Sequence, residues 1–375
     1  MAPNIGSKVI LDRSGLDRLI ADLRGRGYRV IGPVLADSAV IYDEIQSAAD
    51  LPAGCRDDSE AGTYRLDQTG EPWLFGYTLG VQGWKRHLYP PRQRLFRAER
   101  GERGFRLLDD QEVEAPLALL GVRACELAAI QVLDGVFDHE GFTEPGYLRR
   151  RQNAFIVAVE CGHAAATCFC ASADTGPAVG QGYDLRLNEI AGQGNWLFVA
   201  EAGSEKGLAV LAELPSRPAS PDQIAAAAAQ PQQAASQQSR QLKDDAARVL
   251  AVSTESPYWD KVAERCLTCG NCTMVCPTCF CTSVEDVTDL AGDIAERWRR
   301  WDSCFTLDYS YIHGGNVRSK AASRYRQWIT HKLATWHHQF GRSGCVGCGR
   351  CIAWCPVGID ITAEVRALAD AERGR

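Results

Sequence analysis

With 375 residues, 45% hydrophobic content and a formal net charge of −6, the chain can bury two or more cores and gives no general case for binding nucleic acid or an anionic membrane. It contains no run of about 18 apolar residues, as a membrane-spanning helix would need. Its first seven residues carry neither an apolar leader nor a twin-Arg signal, so a cytoplasmic location is expected; sixteen cysteines there point to metal ligation rather than disulfides, because the cytosol keeps thiols reduced.

Ser14, with Asp17 three positions on, precedes Leu16, Leu19, Ile20 and Leu23 at helical spacing, and Gly25 and Gly27 end the run: a short amphipathic helix. Residues 28–34 and 39–45 read as strands, and the aromatic and aliphatic stretch 73–81 as another. The apolar run 116–122, the helical spacing of Leu127, Ile130, Leu133 and Phe137, and the apolar run 154–159 form a strand, helix, strand pattern. That pattern predicts a right-handed parallel crossover, in which ligand sites lie beyond the carboxyl ends of the strands. Cys125 sits just past the first strand, Cys161 just past the second, and Cys168 and Cys170 follow in Thr167-Cys-Phe-Cys-Ala-Ser172. If the strands are parallel, both ends share one sheet edge. Cys125, Cys161, Cys168 and Cys170 are then a candidate ligand set for a third 4Fe-4S cluster; ordinary buried thiols are the alternative. Residues 183–190 and 196–201 read as further strands and 204–214 as a helix.

Residues 215–241 change character, with Pro at the start, then five consecutive Ala, then Gln, Ala and Ser. The composition is that of a linker with a transient Ala-rich helix. The expected organisation is therefore an α/β or α+β domain over 1–214, a linker over 215–241, and an α-helical ferredoxin-like domain over 242–375. Residues 242–252 and 257–265 are its first candidate helices.

The strongest signal is a cysteine spelling that occurs twice, Cys266-x-x-Cys269-x-x-Cys272-x-x-x-Cys276-Pro277 and Cys345-x-x-Cys348-x-x-Cys351-x-x-x-Cys355-Pro356. Three thiolates at i, i+3 and i+6 on a tight loop can converge on one cubane, while the fourth, fixed by Pro, points to the other run's cluster. This pairs Cys266, Cys269, Cys272 and Cys355 around one 4Fe-4S cluster and Cys345, Cys348, Cys351 and Cys276 around a second. Structural zinc is the alternative, but its sites usually read as two separated C-x-x-C pairs. Gly270, Gly347 and Gly349 beside the ligands suit a backbone that must approach a cluster closely.

Between the runs lie 68 residues, too many for a compact two-cluster ferredoxin, which implies an insertion over 279–344. It opens with Thr278-Cys279-Phe280-Cys281-Thr282-Ser283, an echo of the earlier Cys-Phe-Cys, and contains Cys304. Cys279, Cys281 and Cys304 make a three-thiolate set without an evident fourth ligand, read either as packing thiols beside the first cluster or as another metal site completed by a residue such as Asp302 or by a partner. Cys55 stands alone. Arg297, Arg299, Arg300, Arg318, Lys320, Arg324, Arg326 and Lys332 make this region basic, which reads as a solvated helix face or as a surface that steers an acidic partner.

Neither G-x-G-x-x-G nor G-x-x-x-x-G-K-[ST] occurs, so no dinucleotide or phosphate-loop site is expected. Also absent are the radical S-adenosylmethionine motif and the paired C-x-x-C motifs of a nickel-iron catalytic chain, and none of the seven His falls in a ligand motif. No catalytic residue is expected: clusters with four cysteine ligands leave no open iron, which points to outer-sphere electron transfer.

The spellings Gly121-Val-Arg-Ala-Cys125-Glu, Cys168-Phe-Cys170, Arg300-Trp-Asp-Ser-Cys304 and the two extended cysteine runs resemble the β, iron-sulfur subunit of cytoplasmic sulfhydrogenases, and more distantly an iron-sulfur subunit of anaerobic sulfite reductase. Ala124 departs from the Pro expected before the Cys. The resemblance implies a relay of single electrons between a flavin subunit that handles NAD(P)H and a nickel-iron catalytic subunit with its small iron-sulfur companion. The alternatives are the same relay serving a sulfite reductase, or a metal-stabilised structural or regulatory interaction module.

Overall fold

The computed structural model describes residues 4–108, 114–139, 141–191, 196–243 and 245–373. Its largest element is an eight-stranded mixed sheet built from β1 (Lys8–Leu11), β2 (Arg29–Ala36), β3 (Ala39–Glu44), β4 (Leu117–Val122), β5 (Phe155–Val159), β6 (Leu185–Ala191), β7 (Trp196–Ala202) and β8 (Arg217–Pro218), in the order β8-β1-β7-β6-β5-β4-β2-β3. Strands β2, β4, β5 and β6 run parallel to their neighbours in that series, and the outer pairs are antiparallel. Alternation along the central strands splits the core. Leu120 and Val157 pack with Leu16, Leu19 and Leu23 of helix Arg13–Gly25 on one face. Leu119 and Ile156 pack with Leu127, Ile130 and Leu133 of helix Ala124–Phe137 on the other. The crossover expected from the apolar runs is present, with Val157 in register with Leu120 on the parallel pair β5 and β4.

Three local readings are corrected. The first helix begins one turn earlier than its Ser suggests: Asp12 is the cap, its carboxylate accepting from Gly15 N at 2.9 Å, and Ser14 lies inside the helix. Residues 73–81 are not a strand, because buried side chains take up their backbone groups in place of a ladder. Leu74 N and Phe75 N donate to Glu189, Arg123 donates to the carbonyls of Phe75 and Tyr77, and Arg350 donates to that of Gly80.

The third correction concerns the expected linker. Pro221–Ser236 is a helix with Ser220 as its cap and Ala227, Pro231 and Ala234 buried. Asn188 Nδ2 donates to Ala227 O at 2.7 Å and Gln230 Nε2 to Glu189 O at 2.7 Å, which pins the helix to β6. Small alanines let it lie close to the sheet, so the composition that reads as flexible is the composition of a close-packed surface.

A second core gathers Val249, Trp259, Val262, Phe305, Tyr325, Trp328, Ile329, Ile352, Val365 and Leu368 from the helices of the C-terminal part. The expected helix from Leu242 is formed over Ala246–Val252, residue 244 lying outside the described residues. The region between the cysteine runs, expected to be mostly helical, instead starts with a hairpin, Thr282–Thr288 and Ile294–Trp301, which pairs antiparallel with Arg92–Gly101 to make a four-stranded sheet with Gly104–Leu108. That partner strand is about two hundred residues away in sequence, so the pairing leaves no local trace. Much of the basic run is neutralised here: Arg297 pairs with Asp286, Arg299 with Glu144 and Arg300 with Glu285.

Candidate metal centres

The two cysteine runs fold alike. Thr268 and Gly347, each two residues past the first Cys of its run, have φ +51° and +61°, and Gly270 and Gly349 have φ +75° and +74°. Each left-handed glycine starts a one-turn helix, Asn271–Met274 or Arg350–Ala353. These turns double the chain back so that successive cysteines face inward.

Two cavities result, of about 410 Å³ and 330 Å³. The first is lined by Cys266, Cys269, Cys272 and Cys355, with Cys351 at its inner wall and Phe305, Tyr325 and Trp328 around it. The second is lined by Cys345, Cys348, Cys351 and Cys276 with Phe169 and Lys332. The fourth cysteine of each run thus faces the other run's cavity. Asn271 Nδ2 donates to Trp354 O at 2.9 Å and ties the runs together. Backbone N–H groups point at thiols, from Gly347 to Cys345 Sγ at 3.5 Å and from Ile359 to Cys355 Sγ at 3.3 Å, and such donors stabilise thiolate charge. Burial alone pushes the Cys272 and Cys351 thiols well up and Cys345 up to about 12, so ligation to a cation is what would hold them ionised. Among the described residues, no three Cys, His, Asp or Glu side chains converge on one point as a mononuclear ion requires. Thiols spread around a cavity suit a polynuclear group.

The N-terminal cysteines come together where the parallel crossover puts them. Cys125 opens the helix after β4 and Cys161 follows β5. Cys125, Cys168 and Cys170 are buried, and burial pushes all four thiols up, with Cys125 facing Cys170, Cys348 and Cys161, and Cys168 facing Cys170 and Cys161. Ala124 occupies the first helical position, where Pro and Ala both fit. The stretch that composition marks as a linker clamps this loop. Gln237 Oε1 accepts from Ala164 N at 2.9 Å, Gln238 Nε2 donates to Cys170 Sγ at 3.2 Å, and Arg240 reaches Ala166 O and Asp360. No sequence signal singles out these residues; only the fold delivers them. The loop also abuts the second run, through Phe169 N to Gly347 O at 2.8 Å and Thr175 Oγ1 to Val346 O at 2.8 Å.

Cys279, Cys281 and Cys304 meet at the open end of the Thr282–Trp301 hairpin, where Asp302 N donates to Cys281 O at 2.8 Å. Cys281 hydrogen-bonds Cys304, which draws its pKa down to about 6 with help from Tyr309 and Lys332, while Cys276 is drawn well below its usual value by Cys279. Cys55 is apart, buried against Gln68 Nε2 at 2.9 Å.

Two charged residues that sequence reading passed over sit between these centres. Arg350 and Glu126, each 1% exposed, pair at 2.5 Å beside Cys348 and Cys125. Arg123, also buried, donates to Glu160 O at 2.8 Å and hydrogen-bonds Cys161.

The family described as 4Fe-4S dicluster domain matches residues 265–359, which contain both cysteine runs. Along 352 residues, 92% of this chain and 93% of the relative, the sequence is 31% identical to sulfhydrogenase 2 subunit beta of Pyrococcus furiosus. The match extends well beyond the dicluster region into the sheet that carries the N-terminal cysteines. The chain therefore belongs to the sulfhydrogenase β-subunit family and is an iron-sulfur protein with an electron-transfer role.

Proposed function

We propose that this chain relays single electrons between a flavin subunit that handles NAD(P)H and a nickel-iron catalytic subunit with its small iron-sulfur companion. One observation carries the reading: each of two cavities is lined by three thiols of one run and the closing thiol of the other. In this reading Cys266, Cys269, Cys272 and Cys355 hold one 4Fe-4S cluster, Cys345, Cys348, Cys351 and Cys276 hold a second, and Cys125, Cys161, Cys168 and Cys170 hold a third. Such groups accept and give up one electron at a time without binding substrate.

The protein supplies position and potential. Cavity one opens at the surface, with Cys269, Leu267 and Val357 exposed, and is the entry or exit face for a partner. The thiols of cavity two and of the N-terminal set are mostly buried, and Cys348 faces Cys125, which gives an ordered path from surface to interior.

The test is iron, acid-labile sulfide and zinc per chain on protein purified without oxygen. At least about twelve iron and twelve sulfide are expected; about eight would remove the third cluster, and zinc without sulfide would overturn the relay. Cys348→Ser should lower the count by about four iron and break the coupling of NAD(P)H oxidation to H₂ formation. Unchanged coupled turnover would count against the path through cavity two.

A further inference from the structure

Lys85 and Lys332 are 5% and 3% exposed. The anionic groups that face them are all thiolates: Cys279, Cys276 and Cys281 around Lys85, and Cys276, Cys279 and Cys345 around Lys332. Lys85 Nζ donates to Cys279 O at 2.8 Å and lies 3.8 Å over the Trp301 ring. Lys332 Nζ donates to Thr278 Oγ1 at 2.7 Å and Gly344 O at 3.2 Å. Carbonyls, a hydroxyl and a ring satisfy donors but supply no full charge. Two buried ammonium groups without carboxylates are strongly unfavourable unless the cysteines beside them are anionic.

Cavity two accounts for Cys276 and Cys345, on one side of Lys332. Cys279, Cys281 and Cys304 line neither cavity one nor cavity two. As free buried thiols they would be neutral and would leave Lys85 uncompensated. Lys332 itself lies in a π-helical turn, His331–Thr335, a wide turn that proteins use mostly at functional sites. The hairpin is what assembles the set, with Cys281 entering its first strand and Cys304 leaving its second. Tyr309, hydrogen-bonded to Cys281, is 37% exposed, so this end of the set reaches solvent.

We propose that Cys279, Cys281 and Cys304 are the protein ligands of a further iron-sulfur cluster, with Lys85 and Lys332 as its buried counter-cations and one iron corner left to a ligand other than cysteine. The inference rests on the cluster reading of the two cavities. It adds a distinct chemistry, because a cluster with a non-cysteine corner exchanges ligands with small anions or thiols from solvent, whereas one held by four cysteines does not.

The test compares the wild-type chain, in its complex, with the Cys281→Ser, Cys304→Ser double variant, both purified without oxygen. The variant should lose about four iron and four sulfide per chain while the EPR signals of cavities one and two persist. Equal iron in both proteins would overturn the proposal, as would two wild-type thiols that appear only after reduction, the mark of a Cys281–Cys304 disulfide. A second readout needs no variant: cyanide added to the wild-type complex should change the EPR signal of one cluster, and its failure to change any would also overturn the proposal. Wild-type protein without iron and sulfide would instead bring down the relay reading itself.

Discussion

Gly347→Ala is expected to lose the iron of cavity two and of the N-terminal cysteine set together, about eight iron per chain, while cavity one keeps its own. A Cβ built on Gly347 would stand 2.6 Å from the backbone N and Cα of Cys170 and from the carbonyl carbon of Phe169, at φ +61°. The left-handed conformation alone costs about 1–2 kcal/mol for a residue with a side chain. The larger effect is steric, because the obstacle is backbone and cannot rotate away. Relief requires the loop of Cys168 and Cys170 to separate from the loop of Cys345 and Cys348, and both lose the contacts that hold their thiols in place. Gly292→Ala separates the two contributions: it has φ +71° and nothing within 4 Å of the added atom, so it pays the conformational cost without the clash. It should destabilise by about 1 kcal/mol and leave the iron content unchanged. Loss of cavity-two iron with the N-terminal set intact in Gly347→Ala would show that the loops are independent.

The cysteine runs were legible because their chemistry is local: spacing and a closing Pro determine which thiols can share a cavity. The N-terminal set was legible one step less directly, through the inference that apolar runs 116–122 and 154–159 are parallel neighbours, which the register of Val157 with Leu120 bears out. What spacing could not show is whatever depends on distant partners. The strand Ile294–Trp301 is specified by Arg92–Gly101. The Ala-rich helix is specified by the side chains of β6 it rests on, and Gln238 gains meaning only when the fold carries it to Cys170. Charged residues were misread for the same reason. Lys332 belongs by sequence to a basic run that reads as a solvated face, yet it is 3% exposed among thiols.

Arg350→Met is expected to destabilise the protein by about 3–5 kcal/mol, because it leaves the Glu126 carboxylate buried without its cation. The pair is at the junction of the whole molecule. Arg350 Nε donates to Gly80 O at 2.9 Å and Nη2 to Glu126 at 2.5 Å. Glu126 in turn accepts from Tyr42 at 3.0 Å, Trp84 Nε1 at 3.0 Å and Arg123 N at 3.2 Å. Thermal unfolding of the anaerobic protein should fall by roughly 10 °C. The double variant Glu126→Gln, Arg350→Met should recover part of that loss, since no charge is then stranded. The same guanidinium is a fixed positive charge beside Cys348 and Cys125, and it favours the reduced, more negative state of whatever those thiols hold. Removing it should therefore lower the midpoint potential of the cavity-two signal by on the order of 100 mV, against about 59 mV for each tenfold in a one-electron equilibrium. Arg350→Lys keeps the charge but not the fork that spans Gly80 and Glu126, so it should restore the potential more fully than the stability. A potential unchanged in Arg350→Met, measured by EPR-monitored titration on protein with full iron content, would assign the pair to stability alone.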